Sequence, residues 1–224
     1  MENQNMQKLA LPEEKRPLLF AHRGVSSLAP ENTLAAFKKA KELGIPGVEL
    51  DVHLTKDGQL VVIHDESIVR TGRIYTTGMS EPQPAPNITV EKSTWEELQQ
   101  YDFGVWFSQE FAGEKLPLLS EVLDLLGSDT YVDIEIKIDT LRCRAVAKKT
   151  AEVLADALKK NPANQNRFVV SSFNPLAIRQ FSKFSTIPTA LIYDSNPKSL
   201  WWIRGGRGKY FCSCDVFKQC HTDY

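Results

Sequence analysis

Two carboxylates placed two residues apart are the feature of this sequence that best indicates a reaction site. Glu49 and Asp51 lie in residues 47–54 (GVELDVHL), where they alternate with apolar residues in a pattern that predicts a strand. Side chains at i and i+2 of a strand point to the same face, so both carboxylates are directed at one place. Burying two like charges together is costly unless a cation or a proton is shared between them. The pair therefore indicates a metal site; the alternative is a strand whose polar face lies in water.

A histidine follows at the end of a predicted hairpin. Residues 55–58 (TKDG) predict a tight turn, and residues 60–63 (LVVI) predict a returning strand that delivers His64 and Asp65. Because a short turn requires an antiparallel return, we expect His64 to come back toward the carboxylate pair.

A second histidine precedes the carboxylate strand. Residues 17–24 (PLLFAHRG) predict a short buried strand that ends in His22 and Arg23. Asn32 is the predicted N-cap of a following helix, which Gly44 ends; its apolar positions are Leu34, Phe37, Ala40 and Leu43. A strand, a helix and a strand in this order predict a βαβ unit, and hence a parallel sheet or a barrel.

Composition places the chain among ordinary globular proteins. Its 224 residues are 42% hydrophobic and 25% charged, and the net charge of −1 gives no general attraction to nucleic acid or to an anionic membrane. We predict no signal peptide, no transmembrane segment and a cytoplasmic location. Residues 1–16 are predicted to be a disordered lead-in, and the cysteines do not form the framework of a secreted, disulfide-rich domain.

Several short motifs together resemble the glycerophosphodiester phosphodiesterase family. They cover residues 21–24 (AHRG), 29–33 (APENT), 49–52 (ELDV), 55–58 (TKDG), 64–65 (HD) and 133–137 (DIEIK). The resemblance extends over roughly residues 17–195 and implies an α/β fold, a TIM-type (β/α) barrel. It also implies metal-dependent hydrolysis of glycerophosphodiesters to glycerol 3-phosphate and an alcohol.

The resemblance also implies a role for each matching residue. It assigns the divalent-cation site to Glu49, Asp51 and Glu135. It assigns the acid/base pair to His22 and His64, and the two phosphate anchors to Arg23 and Lys137. Three carboxylates form a hard oxygen site that suits Ca²⁺ or Mg²⁺ better than Zn²⁺. Histidine titrates near neutral pH and suits both proton transfers. Which histidine is the acid, and whether water or a substrate hydroxyl attacks first, stay open.

The rest of the chain predicts further barrel elements. Phe173, at the end of a predicted strand, is a candidate for contacting the glycerol unit. The other predicted elements are an insertion at about 66–117, helices at 121–126 (capped by Ser120) and 141–160, and strands at 131–138, 168–173, 189–194 and near 211–217. This makes about six of the eight strands of such a barrel. We therefore interpret residues 17–224 as one barrel domain that is incomplete at its C-terminal end, and expect low stability or a homodimer.

Other functions remain open at this point. A lysophospholipase D-type lipid phosphodiesterase would use the same residues, and a non-catalytic fragment could keep the metal pocket without turnover. The basic, glycine-rich residues 201–210 are interpreted as a loop because no strand and helix flank them. The spacing of Cys212, Cys214, Cys220 and His221 fits no standard zinc motif. The partner we predict is a small glycerophosphodiester.

Overall fold

A computed structural model describes residues 18–75, 79–138, 140–195, 201 and 203–220. The chain divides into two compact units, whose described residues are 18–132 (the N-terminal unit) and 133–220 (the C-terminal unit). The predicted lead-in, residues 1–16, lies outside the described residues.

The N-terminal unit alternates short strands and helices. In chain order its elements are β1 (Phe20–His22), α1 (Leu34–Glu42), β2 (Gly47–Leu54), β3 (Leu60–Val62), β4 (Arg73–Ile74), β5 (Gln83–Pro84), a 3₁₀ helix (Val90–Lys92), α2 (Trp95–Leu98), a 3₁₀ helix (Gln109–Phe111) and α3 (Leu119–Leu126). The next strand, β6 (Tyr131–Ile136), begins in this unit and continues into the C-terminal unit.

The strand β2 is the centre of the N-terminal unit. β1 pairs with it in parallel and β3 pairs with it antiparallel, so the predicted βαβ unit and the predicted hairpin are both confirmed. In the hairpin turn, the Thr55 hydroxyl donates to Asp57 Oδ1 at 2.5 Å and accepts from the Gln59 N–H at 2.9 Å. Gly58 takes the positive φ of 77° that the turn requires. The turn fixes the register in which β3 returns along β2.

The helix α1 begins one residue later than the sequence predicts. Its N-cap is Thr33, whose side chain accepts a hydrogen bond from the Ala36 N–H. Asn32 has a φ of 56° and directs its side chain elsewhere, so the prediction that Asn32 caps the helix was wrong. Phe37 is fully buried, as predicted, whereas Leu43 follows the last helical residue and is 55% exposed.

The strand β1 is more exposed than its sequence predicts. Leu19 and Phe20 are 71% and 36% exposed, which contradicts the expectation of a buried strand. The apolar run was interpreted as if both faces were covered, but within the N-terminal unit β1 pairs with β2 alone among the described strands. β2, by contrast, is buried at each of its first six residues, in keeping with its central position.

The insertion predicted at 66–117 packs against residues of β3 and its end in one small core. β4 and β5 form a two-stranded sheet, and α2 starts with a capping box between Thr94 and Glu97. The buried residues of this core are Val61 and Ile63, which precede the insertion, and Ile68, Ala85, Val90, Leu98, Phe103 and Leu116 within it. The capping residue of α3 is Leu118 rather than Ser120, because the Glu121 carboxylate accepts from the Leu118 N–H at 2.7 Å.

The C-terminal unit is a parallel sheet with two helices packed together. Its elements are the remainder of β6, α4 (Arg144–Lys160), a 3₁₀ helix (Pro162–Asn166), β7 (Phe168–Ser172), α5 (Pro175–Phe181), β8 (Thr189–Tyr193), a 3₁₀ helix (Arg207–Tyr210) and β9 (Val216–Gln219). The strand order is β6, β7, β8 and β9, and β8 pairs in parallel with both β7 and β9. The last strand is shifted toward the C-terminus relative to the predicted 211–217.

The helices of this unit begin at polar caps and local turns. Asn174 caps α5 by accepting from the Leu176 N–H at 2.9 Å, as its position before Pro175 suggests. α4 begins at Arg144, three residues after the predicted start at Leu141, which is 82% exposed.

Within the described part of the chain, no helix has the length and apolarity needed to cross a membrane.

The turn after β1 gives a test of backbone packing. A Cβ atom at Gly24, where φ is +75°, would lie 2.7 Å from the Ala36 Cβ. We expect Gly24→Ala to lower the free energy of unfolding by about 2–5 kcal/mol, because the cost of a left-handed conformation for alanine adds to the cost of the clash. Gly44→Ala is the matched control, since φ is +65° there with no atom within 4 Å of the added Cβ, and it should cost about 1–2 kcal/mol. Urea unfolding measures the stability of both variants. Equal losses of stability in the two variants would show that the contact with Ala36 adds no cost.

Candidate active site

The two carboxylates of β2 lie on one buried face of the N-terminal unit. Glu49 and Asp51 are 5% and 1% exposed, and an oxygen of one lies within 4.8 Å of an oxygen of the other. The alternative of a solvated strand face is therefore wrong. Two carboxylates that lie this close together and are buried away from solvent require positive or hydrogen-donating groups around them.

Arg23 supplies two of those groups from the turn after β1. Its backbone N–H donates to Glu49 Oε2 at 3.1 Å, and its guanidinium Nε lies 3.4 Å from Asp51 Oδ2. The same guanidinium donates through Nη1 to Glu31 Oε1 at 3.0 Å. Arg23 has a φ of 58°, a conformation that is uncommon outside glycine and that turns its N–H toward Glu49.

Asn32 supplies a further donor from the loop before α1. Its Nδ2 donates to Asp51 Oδ2 at 2.9 Å, and this contact explains why the residue does not cap the helix. Asn32 is 3% exposed, and its Oδ1 has no hydrogen-bond partner among the described residues. A buried carbonyl oxygen beside a carboxylate is a further oxygen donor that a cation could use.

The two histidines reach this region from different strands. The register of β1 sets His22 opposite Glu49, and His22 Nε2 lies 3.8 Å from Glu49 Oε2 with half of its side chain exposed. His64 follows β3, where the Ile63 N–H donates to the Asp51 carbonyl at 3.0 Å. The predicted return of His64 toward the carboxylate strand is confirmed.

The orientation of His64 depends on Asp65. His64 Nδ1 lies 2.6 Å from Asp65 Oδ1, and the His64 backbone carbonyl is 3.1 Å from Nε2 of His53. Burial alone would raise the pKa of the Asp65 carboxyl, but hydrogen bonds from Arg70 and His64 hold that pKa below its ordinary value. An ionised carboxylate only accepts hydrogen bonds, so the ring nitrogen that faces Asp65, Nδ1, is the donor of this contact.

Arg70 connects two of these acidic residues, and sequence reasoning missed it. Its guanidinium donates to both carboxylate oxygens of Glu31 and to Asp65. Glu31 belongs to a motif noted in the sequence, although no role was assigned to it. Arg70 lies five residues after Asp65, a spacing that has no meaning until the loop is folded.

The C-terminal unit brings three predicted site residues together. Lys137 Nζ lies 2.9 Å from Glu135 Oε1 and 5.8 Å from the centre of the Phe173 ring. Glu135 is 6% exposed and occupies the buried strand β6. The ammonium group, the carboxylate and the ring thus form one small cluster within this unit.

Asp133, two residues before Glu135, contacts two other strands of the C-terminal unit. Its Oδ1 accepts from the Ser171 hydroxyl at 2.6 Å, and its Oδ2 accepts from Lys218 Nζ at 2.6 Å. These contacts attach β6 to β7 and to β9.

Solved structures of similar fold identify the class of protein. A phosphodiesterase of Oleispira antarctica, solved in complex with the product sn-glycerol-3-phosphate, aligns with a TM-score of 0.72 and 26% identity, over 93% of this chain and 76% of that one. A putative glycerophosphoryl diester phosphodiesterase of Silicibacter pomeroyi DSS-3 also aligns with a TM-score of 0.72, at 21% identity over 90% of this chain and 74% of that one. The fold class is α/β, that of the TIM-type barrel phosphodiesterases, as predicted.

Sequence comparison gives the family. The Glycerophosphoryl diester phosphodiesterase family matches residues 22–213, and the chain belongs to this family of hydrolases. A glycerophosphodiester phosphodiesterase of Caldanaerobacter subterraneus subsp. tengcongensis is 39% identical over 188 residues, or 83% of this chain, and one of Bacillus altitudinis is 37% identical over 167 residues, or 74% of this chain. The chain spans 70% and 61% of the lengths of these two relatives.

The contact between Asn32 and Asp51 can be tested on the folded chain without substrate. Asn32→Gly keeps the left-handed backbone but removes the donor, so we expect a loss of about 1.5–3 kcal/mol in the free energy of unfolding, the range for a hydrogen bond to a charged group. Asn32→Ala should lose about 1 kcal/mol more, because it also strains the backbone. Urea unfolding in chelator measures both variants. A glycine variant with wild-type stability would rule out a stabilising hydrogen bond.

Proposed function

We propose that this chain hydrolyses glycerophosphodiesters to glycerol 3-phosphate and an alcohol, with a divalent cation and two histidines. The observation that carries the proposal is the buried pair Glu49 and Asp51, bordered by His22 and Arg23, in a chain of this family. Support for the product comes from the Oleispira antarctica relative, which was solved with sn-glycerol-3-phosphate.

The residues of the N-terminal unit fit a hard divalent cation. Glu49 and Asp51 offer carboxylate oxygens on one face, and the Asn32 Oδ1 is a buried oxygen with no hydrogen-bond partner among the described residues. Oxygen donors of this kind suit Ca²⁺ or Mg²⁺. When bound, such a cation would neutralise charge on the phosphodiester and polarise its phosphorus–oxygen bonds.

Glu135 is the third cation ligand in this proposal. Its support is the family motif and the burial of its carboxylate on β6. The nearby Lys137 ammonium offsets the charge of Glu135 within the C-terminal unit. A third carboxylate would bring the ligand set closer to the six or more oxygens that Ca²⁺ takes.

The acid and base roles belong to His22 and His64. Asp65 holds the His64 proton on Nδ1, which leaves Nε2 to take or give the proton of the reaction. His22 is half exposed beside Glu49, so its ring can reach a substrate oxygen from solvent. One histidine deprotonates the nucleophile and the other protonates the leaving alcohol oxygen.

Arg23 and Lys137 bind the phosphate, and Phe173 contacts the glycerol unit. Arg23 contributes a guanidinium already fixed by Glu31, and Lys137 contributes a point charge fixed by Glu135. Cations held in place by carboxylates need little reorganisation when an anion binds. The Phe173 ring beside the Lys137 ammonium offers an apolar surface for the carbon chain.

Product formation and metal binding test the proposal together. The purified chain, incubated with glycerophosphocholine and Ca²⁺ or Mg²⁺, should release glycerol 3-phosphate, and a chelator should stop the release. Glu49→Gln should lower kcat by about a hundredfold or more, a loss of 2.7 kcal/mol or more of transition-state stabilisation, because it removes a charged cation ligand.

Calorimetry of the same variant provides a second measurement. Cation affinity of Glu49→Gln should fall below that of the wild type, whereas the surface variant Glu152→Gln, whose partner is the exposed Lys148, should match it. Undiminished activity in Glu49→Gln, or in excess chelator, would refute metal dependence. A wild-type chain that binds the cation but releases no product would instead favour the non-catalytic alternative.

The role of Lys137 has its own test. Lys137→Met should raise KM and lower kcat, because it removes positive charge from the phosphate site. Lys148→Met, at an exposed lysine with a carboxylate partner, is the matched control and should leave both constants within about twofold of the wild type. An unchanged kcat/KM in Lys137→Met would exclude the phosphate role.

A further inference from the structure

We propose that Arg70 is a positioning residue that holds Glu31 and Asp65 in place, and through them Arg23 and His64. The proposal deepens the proposed function and rests on it for the roles of Arg23 and His64. Its structural basis lies wholly within the N-terminal unit.

The contacts of Arg70 form a continuous chain between two site residues. The Arg70 guanidinium donates to Glu31 through Nη1 and Nη2 at 2.8 and 2.7 Å, and to Asp65 Oδ2 through Nε at 2.5 Å. Glu31 accepts in turn from Arg23, and Asp65 pairs with the ring of His64. One side chain therefore connects the predicted phosphate anchor with one of the two predicted acid/base groups.

The charges of the contacting side chains explain why a single guanidinium lies between Glu31 and Asp65. Burial alone would raise the pKa of Glu31, but hydrogen bonds and charge from Arg70 and Arg23 hold that pKa below its ordinary value. The hydrogen bond to Glu31 also raises the pKa of Arg70, so Glu31 and Arg70 stay ionised together. A planar fork can meet two carboxylates in fixed directions, which a lysine ammonium cannot do.

The backbone around Arg70 is fixed, so the position of its side chain is built into the fold. Ile68 is fully buried and its N–H donates to the Ile88 carbonyl at 3.0 Å, while the Gly72 N–H donates to the Ile68 carbonyl at 2.6 Å. The Arg70 carbonyl accepts from the Arg73 guanidinium at 3.0 Å. These bonds hold the loop on both sides of Arg70.

Charged residues approach His64 through Asp65 and at a small cavity. The small cavity beside it is lined by Glu31, Asn32, Thr33, Val62, Ile63, Thr71, Phe103 and Leu116. Of these only Glu31 is charged. Asp65 pairs with the His64 ring, Arg70 pairs with Asp65, and Glu31 pairs with Arg70. The His53 ring lies against the His64 backbone carbonyl. Removing Arg70 takes the guanidinium from Asp65, the carboxylate that contacts the imidazole, whereas Glu31 keeps its pair with Arg23.

The first measurement needs no substrate. In an NMR titration, Arg70→Gln should raise the pKa of the His64 ring by about half a unit to one unit, because loss of the cation favours the imidazolium. Arg70→Lys keeps the charge and should leave that pKa within about 0.3 units of the wild type. Lys39→Gln is the control, since Lys39 is an exposed cation of the same unit that pairs with Glu42, and it should also leave the pKa unchanged.

The second measurement separates positioning from charge. Arg70→Lys should still lower kcat for glycerophosphocholine by about threefold to tenfold, because it loses the fork that fixes both carboxylates. Arg70→Gln should cost less kcat in an Asp65→Asn background than in the wild type, since the path to His64 is already broken and only the path through Glu31 to Arg23 is left to lose. A structural role would instead lower both stability and kcat additively.

The outcomes distinguish this proposal from the proposed function. A His64 pKa that is the same in Arg70→Gln as in the wild type, in a variant with a cooperative thermal transition, overturns the positioning role whatever the activity. Fully additive losses in kcat, or a wild-type kcat in Arg70→Lys, also overturn it. If the wild-type chain releases no product while the His64 pKa rises in Arg70→Gln, the arrangement around His64 is supported and the proposed function fails. If Arg70→Gln does not fold, Arg70→Lys decides the question through kcat.

Discussion

The burial of two like charges on one strand is the constraint to which the surrounding residues of the N-terminal unit respond. Glu49 and Asp51 lose their hydration in the centre of β2, and the loops around them supply donors in compensation. Two of those donors come from residues with positive φ, Arg23 and Asn32. Backbone conformations that are uncommon for side-chain-bearing residues occur where the carboxylates must be met, as is typical of functional sites.

The same principle extends outward through paired charges. Glu31 and Asp65 do not belong to the buried pair on β2, but Glu31 accepts a hydrogen bond from Arg23 and Asp65 pairs with His64. Both carboxylates also accept hydrogen bonds from Arg70. In the C-terminal unit, Glu135 holds Lys137 in a similar way. Groups fixed before substrate binds contribute to electrostatic stabilisation without reorganising during the reaction.

Local sequence patterns predicted the elements better than their ends or their exposure. The alternation in β2 and the turn at Thr55 gave the strand, the hairpin and the placement of His64 near β2. Asn32 failed as a cap because Thr33, the next residue, also caps well and Asp51 competes for the amide. β1 failed as a buried strand because an apolar run does not reveal whether a second layer covers it.

The sequence by itself determined the family, the fold class and the residue types of the candidate site, since these depend on short motifs that remain intact along the chain. Only the tertiary structure decided which polar groups meet across long separations. Arg70 reaches Glu31 across 39 residues, and Lys218 reaches Asp133 across 85. Such partners share no periodicity, because hydrogen-bond geometry in three dimensions, rather than spacing along the chain, selects them.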